Sequence, residues 1–176
     1  ALAYSFFTLL ILFQKLGFTK GKREEIKEAI KILEKGASVY TKLNLEKNPA
    51  LKIAADLKGK LPVIYSSADL LDIVNLRWRG QISENSKILA YGNLYPEMNH
   101  NELVGWKLNG DILKKTVVIF LKDRKDNDRI KLRMKITSEI IKEYADNILY
   151  LESSGRNKLG RIFDLIYLGD WISYYL

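Results

Sequence analysis

Leu61-Pro62-Val63-Ile64-Tyr65-Ser66-Ser67-Ala68-Asp69 is a short apolar run that breaks into serines and an acid. The apolar part predicts a strand over 61–65, bounded by turn signals. Ser66 with Asp69 three residues on is a capping-box pattern, which predicts that the next helix opens there. The same rhythm returns twice, in Val117–Leu121 followed by a helix from about Asp128 to Ala145, and in Ile148–Glu152 followed by a helix from about Lys158 to the end. Continuous apolar strands alternating with helices imply a parallel sheet covered on both faces, an α/β three-layer sandwich. Ligands in such sheets bind at the carboxyl ends of the strands, so the loops after Tyr65, Leu121 and Glu152 are the informative ones.

Upstream, Ile26, Ile30, Leu33, Ala37 and Tyr40 recur at helical spacing, with Lys27, Glu28, Lys31, Glu34 and Lys35 on the other side. Asn48-Pro49 supplies an N-cap and a first-turn proline, and Gly59 closes that short helix. Ala1–Phe13 is almost wholly apolar. It is shorter than the about 20 residues of a membrane span and lacks the basic n-region of a signal peptide. A helix apolar all round is normally a buried one, with Gly17 as its stop. Between the first two expected strands lies a long insertion, 80–116, a place for function inside a compact α/β domain.

The 176 residues suit one domain. No cysteine and a single histidine exclude disulfides, thiolate metal sites and multi-histidine metal centres. A cytoplasmic chain is the matching expectation. The net charge of +8 invites an anionic partner. Yet the basic residues between Lys20 and Lys60, and between Lys122 and Arg129, are interleaved with acids, the pattern of solvated faces and loops. Arg77-Trp78-Arg79 lies in no RNA-binding signature, so helix packing accounts for it. Neither nucleic acid nor membrane is expected as a partner.

The histidine sits in Tyr95-Pro96-Glu97-Met98-Asn99-His100-Asn101-Glu102. A lone histidine can be a hydrogen-bonded structural residue. Polar, acidic, amide-rich surroundings after a proline also suit a loop whose imidazole is held in one tautomer as an acid or base. Upstream, Gln81-Ile82-Ser83-Glu84-Asn85-Ser86-Lys87 sets a carboxylate among amides near a lysine, a pattern that a surface helix explains equally well.

Three segments together resemble a known family. Arg77-Trp78-x-x-Gln81-Ile82-x-Glu84-Asn85-x-Lys87, Pro96-Glu97-Met98-Asn99-His100-Asn101-Glu102-x-Val104-Gly105-Trp106 and Leu168-Gly169-Asp170-Trp171-Ile172-Ser173-Tyr174-Tyr175-Leu176 are similar to the carboxyl-terminal domain of the bifunctional phosphoglucose/phosphomannose isomerases. The resemblance implies a sugar isomerase (SIS) domain of flavodoxin-like arrangement. It further implies interconversion of glucose 6-phosphate or mannose 6-phosphate with fructose 6-phosphate through a cis-enediol, without cofactor or metal. Glu84 falls on the family's catalytic glutamate and His100 on its ring-opening histidine.

The same resemblance implies a fragment. Residues 1–20 would be the connection from a first SIS domain, and 21–176 a second SIS domain truncated at its carboxyl end. The family's serine- and threonine-rich phosphate loop and an arginine stabilising the enediolate belong to the first domain. A lysine and a threonine follow beyond the last motif. The isolated chain is accordingly expected to be inactive. Ser66 and Ser67 are read as helix caps, with a substitute phosphate loop as the other possibility. The partners implied are a phosphorylated hexose and a second copy of the chain, with His100 contributed across the dimer interface. Glu97 and Glu102 are further acid or base candidates, or residues that orient the loop or pair across the interface. The reading from another class is a non-catalytic SIS domain that binds sugar phosphates as a sensor or regulator.

Overall fold

The computed structural model describes residues 2–176. Among them, four parallel strands form one sheet: β1 (Leu61–Ser67), β2 (Tyr91–Tyr95), β3 (Thr116–Lys122) and β4 (Asn147–Glu152), in the order β2-β1-β3-β4. Val63 lies opposite Tyr91 on one side and Val118 on the other, and Val118 opposite Ile148. β1 and β3 are covered on both faces, which is why they read as unbroken apolar runs. Their side chains divide with a period of two. Ile64, Val117, Ile119 and Leu121 enter one core cluster, and Val63, Tyr65, Val118 and Phe120 enter the other.

The first core lies under α3 (Pro49–Leu57), α4 (Asp72–Gln81) and α8 (Lys158–Tyr175), with α2 (Arg23–Tyr40) packed on α8. The second lies under α5 (Glu97–Asn101), a 3-10 turn at Leu103–Lys107 and α7 (Asp128–Ile141). The short α6 (Gly110–Leu113) leads into β3. This is the expected three-layer arrangement. Asn48 caps α3 by accepting from the Leu51 N–H at 3.1 Å, and Gly59 follows with φ +73°.

Several local expectations are overturned. β1 continues through Ser67 and α4 begins only at Asp72, so Ser66 and Asp69 form no capping box. The backbone of Ser66 and Ser67 is instead drawn into pairing with Leu94 and Tyr95 of β2. The segment read as an insertion contains that strand. β2 is an edge strand with glycine and asparagine at its centre and therefore lacks an apolar run. α7 ends at Ile141, four residues early. In α2 the inward stripe runs through Ala29, and Ile30 faces solvent.

The apolar first helix, α1 (Leu2–Lys15), is not buried: Tyr4, Leu9, Ile11, Leu12 and Phe13 are exposed. Only one side of it touches the domain, where the Phe7 ring stacks on Phe163 at 5.2 Å. Gly17 does end its last turn, with φ +78°.

α4 packs closely on α8 at Gly169. The Trp78 indole lies on Gly169 and donates from Nε1 to the Leu165 carbonyl at 2.8 Å. A Cβ at position 169 would fall 2.3 Å from that nitrogen, against a rigid ring with 1% exposure. Gly169→Ala is therefore expected to destabilise the fold by about 1–3 kcal/mol, read as a lowered urea midpoint. An unchanged midpoint would show that the helices can part at no cost.

Candidate functional site

The order β2-β1-β3-β4 makes the chain leave β1 to one side and return to β3 on the other, so the usual ligand crevice lies at the carboxyl ends of β1 and β3. Here the chain's own side chains fill it. Ser67 Oγ donates to Asp126 Oδ1 at 2.7 Å, and Asp126 Oδ2 accepts the Asp123 N–H at 2.8 Å. Asp123 Oδ2 in turn accepts from Arg161 Nε at 2.9 Å in an ion pair that is almost wholly buried. Burial pushes the pKa of Asp126 up, opposed by its bonds from the Asp123 N–H and the Ser67 hydroxyl. Ser66 Oγ donates to the Leu71 carbonyl at 3.2 Å. Neither serine caps a helix or is free to cradle a phosphate. The loops singled out by topology are thus internally committed, and Asp123 and Asp126 are not the solvated acids their mixed-charge run suggested.

Glu84 lies elsewhere, in a π-helical turn, Ile82–Ser86, that continues α4 and ends at Lys87 in a left-handed conformation, φ 60°. The turn is bound to α8 by Asn85 Nδ2 donating to Ser173 Oγ at 2.9 Å and Ser86 Oγ donating to the Ser173 carbonyl at 2.7 Å. One turn back, Arg77 Nη2 bonds both carboxylate oxygens of Asp170 at 3.0 Å. The first and third sequence motifs therefore make one clamp. Within it the Glu84 carboxylate has no hydrogen bond or ion pair among the described residues, and it lines an open groove with Ile73, Leu76, Arg77, Gly80 and Gln81. Trp78 is core and Arg79 bonds Asn75, which bears out helix packing for that trio.

His100 occupies α5, a helix rather than the expected loop, and its exposed imidazole has no hydrogen-bond partner among the described residues. Among the described residues nothing selects one of its tautomers. Around it most polar side chains are engaged, although the buried Asn99 Oδ1 has no partner among the described residues. Asn99 Nδ2 donates to Thr137 Oγ1 at 2.9 Å, Asn101 Oδ1 accepts from Asn93 Nδ2 at 3.2 Å, and Glu102 bonds residues of β1 and β2. Glu97 accepts from Asn101 at 3.2 Å. Glu84 precedes the start of β2 and His100 follows its end. The strand spans about 13 Å, and the groove that Glu84 lines does not include His100.

Among the described residues no cluster of three or more His, Cys, Asp or Glu side chains could hold a metal ion, and no helix is long and apolar enough to cross a membrane. Sequence reasoning missed the Asp123–Arg161 pair, whose partners are 38 positions apart. The alternating charges around Asp123 carry no sign of a buried member.

Residues 46–176 match the family described as the bacterial phospho-glucose isomerase C-terminal SIS domain. The chain is 41% identical over 177 residues to a bifunctional phosphoglucose/phosphomannose isomerase of Caldicellulosiruptor bescii, covering 100% of this chain and 52% of that protein. It is 37% identical to the Aquifex aeolicus protein of the same name, covering 97% and 50%. The chain thus spans about half the length of these relatives. A glucose-6-phosphate isomerase-like protein from Thermus thermophilus shares the fold at TM-score 0.76 and 19% identity, over 93% of this chain and 54% of that one.

Removing one partner of a buried ion pair strands the other charge. Asp123→Ala is expected to cost about 3 kcal/mol, with a correspondingly lower melting temperature. Asp128→Asn, in the same charged run but exposed, should leave melting unmoved. Equal effects from both changes would mean that Arg161 finds another counter-charge.

Proposed function

Starting from the fact that this chain belongs to the bacterial phosphoglucose isomerase C-terminal SIS domain family, we propose that it is the second half of an enzyme interconverting glucose 6-phosphate or mannose 6-phosphate with fructose 6-phosphate. In this reading residues 1–20 connect from a first SIS domain, and 21–176 form the second. The observation that carries the proposal is the pair of unengaged groups. Glu84 and His100 each stand without a partner among the described residues, while Asn85, Ser86, Asn99 and Asn101 beside them are hydrogen-bonded. A base and an acid held ready for a ligand need that combination of fixed backbone and free side chain.

Glu84 is the base that isomerisation requires. In the open-chain aldose its carboxylate takes the proton from C2, while the aldehyde oxygen gains a proton to give a cis-enediol. Return of the carried proton to C1, with loss of the C2 hydroxyl proton, yields the ketose. One carboxylate reaches both carbons without moving, and no electron acceptor is needed. His100 is the group that opens the ring, passing a proton to the ring oxygen as the anomeric hydroxyl loses one, for which an imidazole, with one nitrogen to donate and one to accept, is suited.

The position of the two groups at opposite ends of β2 supports a shared site, in which Glu84 of one subunit and His100 of another serve the same substrate in a homodimer. The filled strand-end crevice speaks against a sugar-phosphate sensor built on this domain alone, because such a module needs a phosphate cradle of its own.

In a coupled fructose 6-phosphate assay on the full-length enzyme, Glu84→Gln is expected to lose about 10²-fold or more in turnover. Full turnover in that variant would refute the role of Glu84. Subunit exchange checks the shared site. Full-length Glu84→Gln and His100→Asn proteins, each strongly impaired alone, should on mixing recover about a quarter of wild-type activity, because half of the dimers carry one intact site in two. Recovery of nothing would place both groups on a single subunit's substrate.

A further inference from the structure

Glu102 is the most heavily bonded acid near either candidate group. Its Oε1 accepts from the Tyr65 hydroxyl, and its Oε2 accepts from Asn93 Nδ2 at 2.8 Å and from the Tyr91 hydroxyl at 3.1 Å. Tyr65 is fully buried in the centre of the sheet and itself accepts from Trp106 Nε1 at 3.0 Å. Burial, then the Glu102 charge, push the Tyr65 pKa up and keep it a donor. One carboxylate therefore joins β1, β2 and the 3-10 turn, and it does so at the residue that ends α5.

A helix of five residues has almost no stability of its own, so α5 takes its direction from what anchors it. Met98 anchors one side, fully buried, and Asn99 ties the next position to α7. On the remaining side the anchors are Asn101, which accepts from Asn93 at 3.2 Å, and the more heavily bonded Glu102, two residues from His100. A carboxylate has acceptor sites for all three donors, whereas an amide would turn an NH2 group toward one of them.

We infer that Glu102 is a positioning residue for His100: by collecting Tyr65, Tyr91 and Asn93 it sets the direction of α5 and so aims the imidazole out of the subunit. The inference rests on the ring-opening role proposed for His100. Glu102 itself moves no proton in this scheme, because both of its oxygens are already engaged. Displacing a reacting group by about 1 Å can cost on the order of 10²-fold in rate.

The test is a double-mutant cycle in the full-length enzyme, read as kcat and KM on glucose 6-phosphate. Glu102→Ala is expected to lower kcat about 10-fold or more with KM little changed, and Glu102→Gln to recover part of that loss. In a His100→Asn background Glu102→Ala should lower kcat no further. Tyr91→Phe removes one half-exposed donor without touching the core, and it should show a smaller loss with the same dependence on His100 even if the alanine variant folds poorly. Losses that multiply equally in both backgrounds overturn the positioning role and leave the histidine's role standing. Wild-type turnover in His100→Asn alone overturns the ring-opening role, and this inference with it.

Discussion

The flat contact of the Trp78 indole on Gly169 sets the distance between α4 and α8, and much of the molecule is arranged around it. Because the two backbones run so close, Arg77 reaches Asp170 with both oxygens in range, and Asn85 and Ser86 reach Ser173. Those bonds hold a π-helical turn, which an isolated chain would not favour, at the end of α4. Glu84 rides on that turn. Its freedom from partners thus depends on neighbours that are heavily committed.

A similar division of labour governs the other end of β2. Tyr65 and Trp106 belong to the second core, and Glu102 converts that core into a fixed mount for α5. Each candidate group is displayed from a rigid base facing away from the chain's own interior. The strand-end crevice, where this class of fold usually holds its ligand, contributes to stability instead through Arg161, Asp123, Asp126 and Ser67. The groove beside Glu84 and the apolar outer side of α1 both remain open on this domain.

The legible portion of the fold is the part governed by short-range rules. β1 and β3 are buried on both faces, so their apolar runs announce them. Asn48-Pro49 and Gly59 bracket α3 by backbone chemistry that any helix end obeys. The three ordered motifs single out Glu84 and His100 by sequence alone. β2 escaped notice because an edge strand has little to bury, and its glycine answers a close approach by Asn75 and the Ile64 carbonyl rather than a local preference. The burial expected for α1 failed for the converse reason. Apolar composition says that a surface seeks cover, and not which surface supplies it.

Residue order along the chain decided which segments would be strands and helices, since hydrophobic period, caps and glycines act within a few positions of themselves. Only the tertiary structure decided that Asp123 would meet Arg161, that Ser66 and Ser67 would turn inward, that Glu102 would gather three donors, and that Glu84 and His100 would stand at opposite ends of one strand. Those outcomes depend on contacts between positions tens of residues apart, made when the crossovers wrap the sheet. No local pattern encodes the distance at which two such elements come to rest.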